Sequence, residues 1–395
     1  MPAILLPLLL AAAATSLATA PSRAPVDTLA PNEESHWVPF DLTAGNQIRF
    51  TMTLGGRRVT AILDTGVSMS VLSRAYATAN DLRVTEEGRA DVIGGTLTVG
   101  KTPITTLTLG GLTRRGGALL IADLPAAATG GGHDGAAAVD LLVGRDLTAP
   151  YALDIDYQAR RFRLLKSGRM PFAAPSAPLS IAPDRQLYVT TAALAGRPLR
   201  PMVVDTGDGA AVTVAAPAWA AAGGPPGATT TISYGLAGPV VSDVAIVPVL
   251  AIGQVAARDV EVRIEGAGGF SETIGTAGRI GSGFLQRYRV LLDPGAGHML
   301  LRAESAARTP DRSTSGLLLG LAGNRLKVLH VMRGGPAAAA GWREGDTICA
   351  VDGIAVTPGY IGTPMARWPT GTPGRAVQLA MCDGTKRTLT LRRFY

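Results

Sequence analysis

Between residues 41 and 303 the apolar positions fall in short runs rich in Val, Ile, Leu and Thr, set apart by Gly and Pro. Runs of that kind between turn residues predict β-strands. Helical periodicity is scarce and predicts only short helices, over 70–80 and 215–222. Two strand runs end on a carboxylate and then turn. Val59-Thr60-Ala61-Ile62-Leu63 leads into Asp64-Thr65-Gly66, and Met202-Val203-Val204 leads into Asp205-Thr206-Gly207. The expected fold class is mainly β.

The surroundings of the two motifs repeat as well. Gly56-Arg57 and Gly196-Arg197 precede them at nearly equal distance, and Leu142-Val143-Gly144 and Ile280-Gly281 follow, 80 and 76 residues after the respective aspartates. From those glycines onward the copies run without a gap: Leu147 matches Phe284, Tyr151 matches Tyr288, Leu153 matches Val290, Ile155 matches Leu292, and Asp156 matches Asp293. The repeat is far too long for a solenoid unit and predicts two lobes related by a pseudo-two-fold. The expected organisation is an export signal over 1–20, a linker over 21–40, a first lobe over 41–166, a second lobe over 179–303 and a third unit over 314–395. A Pro/Ala-rich hinge, Pro171 to Pro175, joins the lobes.

The motif Ile62-Leu63-Asp64-Thr65-Gly66-Val67-Ser68, with its apolar-apolar-glycine partner segment, resembles a lobe of the retropepsin-like aspartic proteases of bacteria. Asp91-Val92-Ile93-Gly94-Gly95 is similar to that group's flap hairpin. The resemblance covers both lobes, about two-thirds of the chain; a lone Asp-Thr-Gly is weak evidence, whereas two matched sets are strong. It implies an aspartic endopeptidase acting on a polypeptide substrate, with Asp64 and Asp205 as catalytic residues. Two carboxylates a few Å apart do not both ionise readily, so the pair holds one proton at mildly acidic pH and titrates as a unit. The ionised member takes a proton from a water between them, and the protonated member hydrogen-bonds the scissile carbonyl. No metal, cofactor, covalent nucleophile or second subunit is needed. Gly66 and Gly207 let the backbone turn where a Cβ would clash. The family implies that Thr65 and Thr206 hydrogen-bond across the lobe interface, and that Gly94-Gly95 and Tyr234-Gly235 form flaps closing over an extended peptide.

One residue departs from the pattern. Asp208 follows the second motif, where two-lobed relatives carry a small hydroxyl residue. Three consequences stay open: it raises the pKa of the dyad, it points outward to a basic or amide group of substrate, or it marks a lobe that has drifted from catalysis. The alternative function is therefore a catalytically inactive peptide-binding scaffold on the same fold. Ser282, in Gly281-Ser282-Gly283, belongs to the second lobe's glycine segment and is not read as a nucleophile.

The third unit runs from Ser315-Gly316-Leu317-Leu318-Leu319-Gly320 through Gly335-Pro336-Ala337 and Gly345-Asp346-Thr347-Ile348 to Val351-Asp352-Gly353. This succession resembles a PDZ domain, a small β-barrel-like fold with short helices. It implies a groove beside Gly316, Leu317 and Leu318 that captures a protein C-terminus by strand addition; a groove that binds the protein's own linker or nothing is the bland reading.

Composition narrows the picture further. The net charge of +7 is carried by scattered arginines with no basic run interleaved with aromatics, which argues against nucleic acid. Residues 4–14 are apolar and are followed by small residues, with cleavage expected after Ala18. No Lys or Arg precedes this stretch, so an uncleaved anchor stays open, though the stretch is short for a stable membrane span. The expected location is exported, periplasmic or secreted. His36, His133, His298 and His330 lack metal-ligand spacing. Cys349 and Cys382 either pair or stand as two small buried apolar residues.

Overall fold

A computed structural model describes residues 24–130, 138–304 and 312–395. The segment read as an export signal, residues 1–20, lies outside them. The fold is mainly β; several strands alternate, and those beside the site are buried on both faces. In Ile48–Leu54 the side chains of Ile48, Phe50, Met52 and Leu54 point into the core, while Arg49, Thr51 and Thr53 face away. Tyr188–Leu194 alternates in the same way at the matching place of the second copy.

Seven strands repeat in the same spatial order. In the first copy Ile48–Leu54 pairs with Arg57–Leu63, which runs parallel to Leu141–Val143; then come Val71–Ser73, Ala118–Ala122, Gly95–Pro103 and Thr85–Val92. The second copy reads Tyr188–Leu194, Arg197–Asp205, Gly278–Gly281, Val212–Ala215, Val255–Glu265, Gly238–Ile252 and Thr229–Gly235. Parallel and antiparallel pairings match step for step. The copies meet where Tyr151–Asp156 lies antiparallel to Tyr288–Asp293, with Leu153 opposite Leu292 and Ile155 opposite Val290. Leu153 faces the counterpart of Ile155, and Ile155 faces the counterpart of Leu153, the signature of a two-fold seam. One apolar core, with Phe50, Phe162, Tyr188 and Phe284, runs through both lobes.

Of the segment read as a linker, 21–40, the described residues 24–40 are instead part of the first lobe. Val26–Leu29 pairs with Leu112–Arg115, and Val38–Leu42 pairs with Ile48–Leu54 and Arg161–Lys166. Asp27 anchors the first of these strands on the Arg114 guanidinium at 2.7 Å, and Trp37 stacks against Arg161 and Arg163. The helix expected over 70–80 is shorter. Val71–Ser73 is a strand, and the helix Arg74–Ala79 begins where the Ser73 hydroxyl accepts the Tyr76 N–H at 3.0 Å. The helix expected over 215–222 is Ala216–Ala221.

Residues 317–390 form a separate six-stranded sheet with its own core around Leu317, Trp342, Ile348 and Trp368. Leu317–Ala322 is its end strand. Cys349 and Cys382 are joined by a disulfide with Cα atoms 5.0 Å apart, inside the bridging range. This unit rests on the second lobe: the His330 ring bonds Thr230 Oγ1 at 2.8 Å, and Arg333 pairs with Asp243 at 3.0 Å. Among the described residues no helix is long and apolar enough to cross a membrane.

Candidate active site

The two Asp-Thr-Gly loops meet at the seam. Each follows the strand that ends on its aspartate, so the parallel neighbours Leu141–Val143 and Gly278–Gly281 fix where each loop turns. The threonines bind the loops reciprocally. Thr65 N–H donates to Thr206 Oγ1 at 3.0 Å, and Thr206 N–H donates to Thr65 Oγ1 at 3.0 Å. The hydroxyls then donate onward, Thr65 Oγ1 to Val204 O and Thr206 Oγ1 to Leu63 O, both at 2.7 Å. Both threonines are fully buried. Four short bonds with no unsatisfied partner make a stiff clamp, because loosening any one leaves a buried polar group without water.

The clamp brings the Asp64 and Asp205 carboxyls side by side, close enough for the Asp205 charge to act on Asp64. Gly66 and Gly207 lie against the opposite carboxyl: a Cβ on Gly66 would sit 2.3 Å from Asp205 Cγ, and one on Gly207 would sit 2.3 Å from Asp64 Cγ. Glycine is needed here for close approach, since any larger residue would push the carboxyls apart. Gly66 N–H donates to Asp64 Oδ1 at 3.0 Å, and the N–H groups of Gly207 and Asp208 donate to Asp205 Oδ1 at 2.9 and 3.1 Å.

Enclosure dominates the acidity of the pair. Burial raises the Asp64 carboxyl well above its ordinary value, and the neighbouring Asp205 charge raises it further. Asp205, 5% exposed, is pushed up to about 6 by burial and by the Asp208 charge, against the pull of Arg279. Asp208 does not point outward. Its side chain turns in beside Arg279, whose Nε donates to Asp208 Oδ2 at 3.0 Å, and Thr213 Oγ1 donates to the same oxygen at 3.1 Å. Burial alone would raise Asp208, but the Arg279 and Arg263 charges hold it below the usual carboxylate range.

Two hairpins, one from each lobe, meet at their tips. In the first lobe the turn Ile93-Gly94 joins Thr85–Val92 to Gly95–Pro103. In the second lobe Tyr234 and Gly235 end the strand Thr229–Gly235, and the turn itself is Leu236-Ala237. The tips touch: Ala237 N–H donates to Ile93 O at 3.2 Å, and Gly94 and Gly235 each face the opposite hairpin's backbone. Leu236 packs on an apolar cluster of the first lobe that includes Ile62, Val71, Val99 and Leu142. Gly316, Leu317 and Leu318 lie away from the dyad, where Gly316 opens the end strand of the C-terminal sheet.

Several supporting residues carried no signal in the sequence reading. Gln47 Nε2 donates to Gly207 O at 3.0 Å, and Asn46 Nδ2 donates to Gly209 O at 3.0 Å, so a first-lobe loop braces the second motif. The buried Ser282 hydroxyl donates to Thr206 O at 2.8 Å and props the same loop. Arg279 stands out most. Its position matches Leu142, and the isolated charge in Gly278-Arg279-Ile280-Gly281 was the one available hint.

Residues 50–147 match the family model described as aspartyl protease. Among solved structures the chain is similar to one titled "EIAV protease complexed with the inhibitor HBY-793", at 22% identity over 25% of this chain and 83% of that one, with a TM-score of 0.20, too low to bear on the fold. No curated protein sequence matches the chain. The family match supports an aspartic protease fold and a protease-type function. It falls on the first lobe and includes the first Asp-Thr-Gly alone.

Proposed function

We propose that the protein is an aspartic endopeptidase that hydrolyses peptide bonds with a water held between Asp64 and Asp205. One observation carries this reading: the two matched loops are locked by the reciprocal Thr65 and Thr206 bonds, with each carboxyl set against the opposite loop's glycine. The ionised carboxylate takes a proton from water as the water oxygen adds to the carbonyl carbon. The protonated carboxyl gives its proton to the carbonyl oxygen, forming a neutral tetrahedral intermediate. On collapse, the proton taken from water passes to the leaving nitrogen, and a hydroxyl proton returns to the other carboxyl. The products are an acid and an amine, and the dyad is restored. The enclosed site strengthens both transfers, and the hairpins of Gly94-Gly95 and Tyr234-Gly235 act as flaps that exclude water.

The substrate in this reading is an extended polypeptide, held by main-chain hydrogen bonds beneath the paired hairpins. The C-terminal unit serves as a PDZ-type module taking protein C-termini along Leu317–Ala322, supported by the place of that strand at the end of its sheet. The protein is exported, on the strength of residues 1–20. Hydrolysis of casein between about pH 4 and about pH 8, with Asp64→Asn and Asp205→Asn as controls, tests the enzyme reading. Activity lost in both variants supports it; wild-type silence with retained peptide binding defeats it in favour of a scaffold.

A further inference from the structure

The backbone of the two lobes is symmetric around the dyad, but the charge is not. The strand beneath the first motif carries Leu142, paired with Ile62 and Val71 inside an apolar cluster. The matching strand carries Arg279, paired with Val203 and Thr213. Arg279 is 3% exposed, and its Nε lies 3.8 Å from Asp205 Oδ2. It is held there by three further partners: Asp208 at 3.0 Å, Glu265 at 2.8 Å and the Ser271 hydroxyl at 2.8 Å. Ser271 N–H in turn donates to Glu265 at 2.9 Å, so the acceptor is itself fixed.

We propose that Arg279 is a positioning residue that breaks the symmetry of the dyad, holding the negative charge on Asp205 so that the shared proton resides on Asp64. Asp205 is then the base toward water and Asp64 the acid toward the carbonyl, an assignment that rests on the peptidase reading above.

The charged groups around the pair decide the direction. Asp205 faces Asp64 from the other loop, Asp208 on its own loop and Arg279 from the neighbouring strand. Asp64 is raised by Asp205 and Asp208, and no cation appears among its main influences. Asp208 raises Asp205 by more than Arg279 lowers it, so Arg279 offsets part of that push while it holds Asp208 itself ionised. The buried cation close to one carboxyl alone is the asymmetry. An opposite charge within this range stabilises the ionised form, whereas Leu142 offers Asp64 nothing comparable. Burial and the Asp205 charge raise the Asp64 carboxyl well above its ordinary value, in keeping with a proton held there.

The test compares pH profiles of kcat/KM for the wild type, Asp208→Asn, and the double variant Arg279→Gln with Glu265→Gln, which removes the cation together with one of its counter-charges. The acidic limb should move up by about one unit in the double variant and down in Asp208→Asn. A merely structural role would scale the rate without moving the limb. Limbs that stay fixed, or that move in the same direction, overturn the proposal. Asp208→Asn keeps the shape of the site, so the test stands if the double variant does not fold. The 13C shifts of the two carboxyls in the wild type read the proton without turnover. At about pH 7 a protonated Asp64 beside an ionised Asp205 supports the assignment, and the reverse sinks it. A wild type that cleaves nothing defeats the peptidase reading, while these shifts still decide where the proton sits.

Discussion

Replacing Asp205 by Asn should make the protein more stable at neutral pH while abolishing hydrolysis. The folded pKa of Asp205 lies above the unfolded value of 3.8, at about 6. Between those two values the native state holds a proton that the unfolded chain has lost. Stability therefore falls as pH rises through that window, and the deficit is complete above about pH 6. At 1.36 kcal/mol per unit the rise corresponds to something on the order of 3 kcal/mol. Arg279 lowers the cost of ionising Asp205, but burial and Asp208 outweigh it, since the net shift is upward. Asn retains an oxygen to accept the N–H groups of Gly207 and Asp208, and its NH2 faces Asp64. Urea unfolding, followed by near-ultraviolet circular dichroism, should show Asp205→Asn stabilised by about 1–3 kcal/mol at about pH 7.5 and level with wild type at about pH 3.5. A variant equally destabilised at both pH values would refute the reasoning, because it would mean that the carboxylate stabilises the fold.

The acidic limb of kcat/KM should lie near pH 6, since Asp205 must be ionised, and activity should fall again at higher pH as Asp64 gives up its strongly held proton; an optimum near pH 3, read from a fluorogenic peptide assay, contradicts this. Gly207→Ala should lower kcat by about 100-fold or more, because its Cβ would displace the Asp64 carboxyl, with circular dichroism unchanged. Thr206→Val leaves Thr65 N–H and Leu63 O buried without partners and should cost about 2–4 kcal/mol in denaturant unfolding, whereas Thr206→Ser, which keeps the hydroxyl, should cost less. Reducing Cys349–Cys382, which closes 33 residues, should lower the C-terminal unit's stability by about 3–4 kcal/mol. Hydrogen exchange should then rise along Thr347–Val351 and not along Arg197–Asp205.

The parts of the fold legible in the sequence were those whose cause is local. An apolar run, a carboxylate and a glycine lie within a few residues of one another, so the two loops could be found and their lobes counted from the spacing of the later glycines. Segments stabilised from afar could not. Residues 21–40 look like a polar, Pro-containing linker because nothing near them shows that Asp27 meets Arg114, 87 residues on, or that Trp37 stacks against Arg161 and Arg163. At 70–80 the apolar spacing suited a helix, but Val71 and Leu72 are claimed by sheet pairing with Leu141 and Leu142, and the helix waits for the Ser73 cap. The resemblance puts the second flap at Tyr234-Gly235, whereas Gly235 still pairs with Gly238 and the chain reverses at Leu236-Ala237, beyond what the motif match covers.

The charge at the dyad shows most clearly where such reading stops. Asp208 was visible as a departure, yet its meaning depended on Arg279, 71 residues away and brought alongside by sheet register. Duplication preserves backbone positions, so matching the copies predicts where side chains stand, Arg279 over Leu142 included. It does not predict sign or partner. A carboxylate facing solvent and one facing a buried guanidinium are identical in sequence, but the second, like Asp208 beside Arg279, is held ionised by its partner. The unusual residue after the second motif therefore belongs with Arg279 and Glu265 as one buried group, and the three should be substituted together to learn what any one of them does.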